Sequence, residues 1–289
     1  MMQFSPEPIA AIARDFMDIR EAMANASCQF RYQSIIRIVH DCIGHWAHTS
    51  TRSAFSLVDI SGATPLLEPK DYDEAISVTQ TILNRLAQAP IVPLIQTNDT
   101  DTAVRTAIAL RNGGLTVMEV VLRTDTALQC LEAVAATVPG IAIGAGSVLT
   151  VDQARSVEAA GAQFIVCPGL DDAIVHHCAE RTMPIFPGVV TPGEVQRAYA
   201  LGLRTVKFFP AELAGGVPML KALGSVFRDM RFMPTGGVAA GNLGEYLALP
   251  HVFACGGSWL TPKNAIAAGD YDTVIRLAHE AVTIAAQVR

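Results

Sequence analysis

Eight short apolar runs, beginning 20 to 26 residues apart, constrain this chain more than any other feature. They start at Ile91 (IVPLIQ), Thr116 (TVMEVVLR), Ile141 (IAIGAGSV), Gln163 (QFIVCPG), Met183 (MPIFPGV), Thr205 (TVKFFPA), Arg231 (RFMPTGG) and His251 (HVFACGG). Amphipathic helical patterns fill the intervals, among them Thr102 to Arg111, Val151 to Ala160 and Gly193 to Leu201. Cap-like residues (Asp101, Thr150, Asp171, Thr191) open several of these helices, and Gly113, Gly161 and Gly202 close them. Buried parallel strands read as continuous apolar runs, and eight of them alternating with helices across residues 71–289 fit an α/β fold, the (β/α)8 TIM barrel. A doubly wound sheet is the alternative. It would carry a G-x-G-x-x-G turn after its first strand, where this chain reads Gln96-Thr97-Asn98-Asp99. An extra N-terminal helix, Tyr72 to Ala87, is expected to close the bottom of the barrel.

Residues 1–70 lack this regularity and read as a poorly ordered extension, or as sequence upstream of the true start. After Met23 the next methionine is Met118, so a shorter natural chain needs a start codon other than Met. His40, His45 and His48 have metal-ligand chemistry but no evident supporting partner. The whole chain has 289 residues, 51% of them hydrophobic, with a formal net charge of -6. That balance carries no basic footprint for nucleic acid, and scattered Lys and Arg give no membrane-surface patch. Six cysteines without a C-x-x-C pair suggest reduced, buried thiols in a cytoplasmic protein. No apolar run reaches the length of a membrane span, and no basic segment followed by an apolar core marks a secretory signal.

One lysine stands inside the sixth run, Val206-Lys207-Phe208-Phe209-Pro210-Ala211-Glu212. Strand alternation puts Lys207 and Phe209 on one face and Val206 and Phe208 on the other. Burial disfavours an ammonium, and a neutral amine attacks ketones to form a Schiff base. On this segment alone a lysine that snorkels to water is an equal reading. In the second run Glu119 and Arg123 share the parity of Val117 and Val121, while Met118, Val120 and Leu122 make a wholly apolar face for the helices. Two charges on the inner face of such a strand need a task or a private ion pair. The third run ends Gly144-Ala145-Gly146-Ser147, whose small residues leave space and whose hydroxyl sits at the mouth. Cys167 reads as a packed thiol, and His176 and His177 as solvated or satisfied helix residues. The seventh and eighth runs end in Thr235-Gly236-Gly237 and Gly256-Gly257-Ser258, with Thr261-Pro262 opening a further helix. Exposed glycine amides there form the phosphate site that many barrels build after strands seven and eight.

In this order the segments EVVLRT (Glu119 to Thr124), GAGSVL (Gly144 to Leu149), QFIVCPG (Gln163 to Gly169), KFFPAE (Lys207 to Glu212), PTGG (Pro234 to Gly237) and GGSWL (Gly256 to Leu260) resemble the 2-keto-3-deoxy-6-phosphogluconate / 4-hydroxy-2-oxoglutarate aldolase family. The resemblance covers residues 75–289. It implies a class I aldolase with no metal and no cofactor, a phosphorylated keto-sugar acid as substrate, and a homotrimer. It makes Lys207 the Schiff-base lysine and Glu119 the general acid/base, with Arg123 and Ser147 on the pyruvate carboxylate. Thr235, Gly236, Gly237, Gly257 and Ser258 become substrate-binding residues. The family commonly has threonine at position 147, and the hydroxyl is retained here. Thr235 and Ser258 match the branch that cleaves the phosphogluconate rather than its galactonate epimer. Other readings compatible with the residues are a phosphate-barrel isomerase or synthase using Glu119 as base, and a non-catalytic sugar-phosphate binder. A metal-dependent aldolase lacks ligand spacing within the barrel.

Overall fold

A computed structural model describes residues 69–288. The expectations for residues 1–68, including the histidines at 40, 45 and 48, lie outside the described residues. The first described element is α1 (Pro69–Gln88), the anticipated extra helix, which leads directly into β1 (Ile91–Ile95). Alternation then proceeds through α2 (Thr100–Asn112), β2 (Val117–Val121), α3 (Ala127–Thr137), β3 (Ala142–Gly146), α4 (Val151–Ala159), β4 (Ile165–Val166) and α5 (Asp172–Glu180). It continues with β5 (Ile185–Phe186), β6 (Gly188–Val189), α6 (Pro192–Ala200), β7 (Thr205–Phe208), α7 (Gly216–Val226), β8 (Arg231–Pro234), α8 (Ala240–Leu247) and β9 (Cys255–Gly257). A 3-10 turn (Ser258–Leu260), α9 (Lys263–Ala268) and the long α10 (Tyr271–Val288) complete the described chain.

Hydrogen bonding runs in the order β5-β4-β3-β2-β1-β9 in one ladder and β6-β7-β8 in a second, with parallel pairing throughout. Pro187, which has no N–H to donate, separates β5 from β6 within what the sequence presents as one strand. A parallel bridge between Phe232 and Val252 joins β8 to the segment entering β9. The ring so formed is a (β/α)8 barrel.

Strand parity sorts the side chains as anticipated. Met118, Val120, Val206 and Phe208 pack outward with the helices. Val92, Val117, Ala142, Phe164, Met233 and Phe253 fill the interior, where Ile82 and Leu86 of α1 pack against them. Phe186 stacks between Phe164 and Phe253, with ring centroids 5.9 and 5.5 Å apart. Such aromatic pairs add about 0.5–1.5 kcal/mol beyond the area they bury, so the interior is a packed floor rather than a pore.

Three of the four cap assignments hold, since Thr150, Asp171 and Thr191 accept the N–H three residues on. For α2 the cap is Asp99 rather than Asp101. Its carboxylate accepts from the Thr102 N–H at 2.7 Å, whereas Asp101 lies in the first turn and pairs with Arg105. The last strand also starts later than its apolar run suggests, because His251 to Ala254 contribute a bridge and a turn before the β9 ladder begins at Cys255.

Candidate active site

Lys207 lies on the inward face of β7, only 2% exposed, with Nζ 4.7 Å from the centroid of the Phe209 ring. The neighbours on either side, Val206 and Phe208, are locked into the helix-facing core, which fixes the direction of the lysine between them. On β2, Glu119 is equally buried, and its Oε2 has no hydrogen-bond partner among the described residues. A buried carboxylate oxygen left unsatisfied is costly, so the ionised form is disfavoured. Burial accordingly raises the Glu119 carboxyl above the usual carboxylate range, against the pull of the Lys207 and Arg123 charges. Burial also lowers the Lys207 amine, opposed by Glu119 and reinforced by Arg123. The two directions agree, since burial favours the uncharged form of both the carboxyl and the amine. Both shifts run in the direction that a Schiff-base reaction needs.

Space for Glu119 comes from β3. A Cβ on Gly146 would lie 2.7 Å from Glu119 Oε2, and one on Gly144 would overlap the Phe164 ring. The register Leu94–Glu119–Gly144 sets the glutamate across these small residues. Arg123 departs from the sequence expectation. It stands two residues past the end of β2 and is exposed at the rim, not held within the strand's inner face. No Glu119–Arg123 ion pair forms among the described residues, so the private-pair reading fails. Instead Arg123 Nε donates to Ser147 Oγ at 2.9 Å. Ser147 has φ 61°, a left-handed backbone that few residues other than glycine adopt. Guanidinium and hydroxyl together form a polar corner at the mouth, suited to a carboxylate.

Cys167 is buried at the end of β4, and burial pushes its thiol up to about 12, with Cys178 adding to the rise. A thiol so raised stays protonated and is no nucleophile at neutral pH. His176 is exposed, and His177 lies 3.7 Å from Glu158.

Across the mouth, Gly236 and Gly237 both take positive φ, 91° and 85°, a pair of conformations that only glycine adopts freely. The carbonyls of Thr235, Gly236 and Gly237 are all engaged, by the Ala211 N–H, the Glu212 N–H and the Asn242 amide. The amides of Gly236 and Gly237 donate to no acceptor among the described residues. Backbone N–H groups freed in this way make a concave anion site. Thr235 is buried beside Gly256, where an added Cβ would strike its hydroxyl. Gly257 is buried and Ser258 exposed at the same rim. The helix expected after Ser258 arrives in two pieces. Pro262 occupies its N-cap rather than its first turn, and the Thr261 hydroxyl donates to the Leu94 carbonyl at 2.7 Å.

An inward amine, an inward acid, a carboxylate corner and an amide cradle therefore share one barrel mouth. Residues 82–277 match the family described as KDPG and KHG aldolase. The chain belongs to that family. It is 43% identical over 204 residues to a 2-dehydro-3-deoxy-phosphogluconate aldolase of Treponema pallidum (strain Nichols), a match covering 71% of this chain and 97% of that protein. It is 45% identical over 197 residues to the KHG/KDPG aldolase of Escherichia coli (strain K12), covering 68% of this chain and 92% of the relative. Among solved structures, the KDPG aldolase of Legionella pneumophila superposes with a TM-score of 0.66 at 39% identity, covering 68% of this chain and 96% of that one. That structure holds pyruvate captured at low pH as a covalent carbinolamine intermediate. The 2-keto-3-deoxy-6-phosphogluconate aldolase of Zymomonas mobilis ZM4, solved with 3-phosphoglycerate, gives a TM-score of 0.67 at 38% identity, covering 71% and 97%.

The sequence places Phe209 on the Lys207 face and leaves space at the end of the third run, but it assigns no role to Gly146, whose missing side chain makes room for Glu119, or to Phe209, whose ring lies beside the amine. Strand parity carried the signal for both roles, Phe209 as the inward residue after Lys207 and Gly146 as a gap on the strand beside Glu119.

Proposed function

We propose that this chain is a class I aldolase that cleaves 2-keto-3-deoxy-6-phosphogluconate to pyruvate and D-glyceraldehyde 3-phosphate, and 4-hydroxy-2-oxoglutarate to pyruvate and glyoxylate. The observation that carries the proposal is the burial of Lys207 and Glu119 together on the inward faces of β7 and β2, where burial lowers the amine and raises the carboxyl. Names borne by relatives at 43% and 45% identity support the two substrates.

Lys207 attacks the C2 ketone to give a carbinolamine, and Glu119 gives its proton to the departing hydroxyl, so that water leaves and an iminium forms beside the Glu119 carboxylate. The iminium accepts the electrons of the C3–C4 bond as the C4 hydroxyl gives its proton to Glu119, now ionised, releasing the aldehyde. Glu119 returns a proton to the resulting enamine, and water restores the amine and frees pyruvate. Arg123 and Ser147 grip the substrate carboxylate, and the guanidinium charge adds to burial in lowering the Lys207 amine. The amides of Gly236, Gly237 and Gly257, with the hydroxyls of Thr235 and Ser258, receive the phosphate. No step calls for a metal or cofactor. Thr235 favours the gluconate over the galactonate epimer. Residues 1–70 are read as an appendage to the catalytic unit, since 71% of this chain already spans 97% of the Treponema relative. The assembly is read as a cytoplasmic homotrimer, which light scattering and fractionation test.

Borohydride added with pyruvate should reduce an imine and leave a pyruvate-derived adduct on Lys207, detectable by peptide mass. A coupled assay of pyruvate release should rank the phosphogluconate above its epimer. An unlabelled Lys207, or release of pyruvate by Lys207→Ala, would remove the proposal.

A further inference from the structure

Gln96, which plays no part in the mechanism above, is the first residue past β1 and is exposed at the barrel mouth. Val92 belongs to the interior cluster, whereas Ile91 and Ile95 pack outward with the helices. Strand parity therefore carries the inward direction from Val92 through Leu94 to Gln96. Neighbouring registers fix what lies to either side. Leu94 pairs with Glu119 on β2, and Pro93 pairs with Gly257 on β9. Gln96 thus stands between the strand that supplies Glu119 and Arg123 and the strand end that carries Gly257 and Ser258.

The backbone around it is tied down. Thr261 Oγ1 donates to the Leu94 carbonyl, Thr124 Oγ1 to the Thr97 carbonyl at 2.9 Å, and Thr126 Oγ1 to the Asn98 carbonyl at 2.7 Å. The Gln96 carboxamide itself makes no hydrogen bond within the described residues. A substrate whose C4 meets Glu119 and whose phosphate lies at the Gly257 rim must carry its C5 past β1. A carboxamide both donates and accepts, as a secondary alcohol does.

We propose that Gln96 is a specificity-determining residue that hydrogen-bonds the C5 hydroxyl, which is the hydroxyl of the aldehyde half. The inference rests on the aldolase reading and deepens it. The test runs the reaction in the direction of carbon–carbon bond formation, with pyruvate and one of two aldehydes. D-Glyceraldehyde 3-phosphate carries the hydroxyl, and 3-oxopropyl phosphate lacks it. Gln96→Leu should lower kcat/KM for the hydroxylated aldehyde roughly tenfold and change that for the deoxy aldehyde by less than about twofold. Borohydride labelling of Lys207 by pyruvate should be unchanged, because pyruvate does not reach β1. Gln96→Asn, which keeps the amide but shortens it, should fall between the two proteins. Equal losses on both aldehydes, or no loss on either, would overturn the assignment. Failure of wild-type protein to label with pyruvate would instead remove the aldolase reading, and this inference with it.

Discussion

The lower and upper halves of the barrel interior use the same strand faces for opposite ends. Below, Val92, Val117, Phe164 and Phe253 meet Ile82 and Leu86 in an apolar plug. Above, the same inward parity delivers Glu119 and Lys207, with Gly146 where a plug would need bulk. The lower half gains stability from close packing, and each of its aromatic side chains has several neighbours. The upper half gives up stability, since an unpartnered carboxyl oxygen and a buried amine both disfavour the folded state. A barrel strand can thus change purpose within one or two residues, provided the floor beneath is sealed.

Four substitutions test that division. Lys207→Met should have the largest effect, abolishing turnover and pyruvate labelling while raising the melting temperature. Each kcal/mol of relieved burial cost corresponds to about 2–4 °C in a domain of this size. The sign follows from linkage. Burial lowers the Lys207 pKa from the ordinary 10.5, so between the two values the unfolded chain binds more protons than the folded one. Stability attributable to this residue therefore rises with pH across that window, and the Met variant should lose that part of the slope in denaturant titrations at graded pH. The rate of imine formation should climb over the same lowered range. A Lys207→Met protein that melts lower than wild type would contradict the division.

Glu119→Gln comes next. It should reduce kcat by about 10²–10⁴-fold yet still label with pyruvate and borohydride, because the amine remains and only the proton carrier is lost. Gly146→Ala should follow, at about 10–100-fold in kcat, since the new methyl displaces Glu119 Oε2 from its present position. The smallest catalytic effect belongs to its neighbour. Gly144→Ala strikes the Phe164 ring rather than the glutamate, so it should cost about 1–3 kcal/mol in urea unfolding and leave kcat near wild type. If the two glycine variants behaved alike, the boundary between floor and mouth would be misplaced.

Most of the fold was legible because parallel barrel strands are apolar on both faces and recur at a near-constant interval. Residue parity also gave the inward direction of Lys207 and Glu119. What escaped prediction depended on hydrogen bonds rather than on pattern. Asp99 and Asp101 are chemically alike, and only the 2.7 Å contact to the Thr102 N–H decides which one caps α2. The run MPIFPGV looks continuous, yet Pro187 interrupts the ladder for want of a donor. Arg123 shares parity with Glu119, but β2 ends at Val121, which frees the guanidinium to reach Ser147 at the rim. The composition of the proposed phosphate cradle was readable in its glycines. Its two left-handed conformations and its engaged carbonyls were not, since they arise from contacts with Ala211, Glu212 and Asn242.

The interruption at Pro187 has one more consequence. Lys207 belongs to the β6-β7-β8 ladder and Glu119 to the other, so the reacting pair straddles a fault line in the backbone network. On one side the crossing is the chain itself, since Phe186, Pro187 and Gly188 are consecutive and the Lys207 N–H donates to the Pro187 carbonyl at 2.9 Å, whereas on the other it relies on the two bonds that Phe232 makes with His251 and Phe253. Gentle urea should therefore silence the enzyme while its circular dichroism is still intact, because a small opening of the seam at Phe232 shifts the amine relative to its acid without dismantling either ladder.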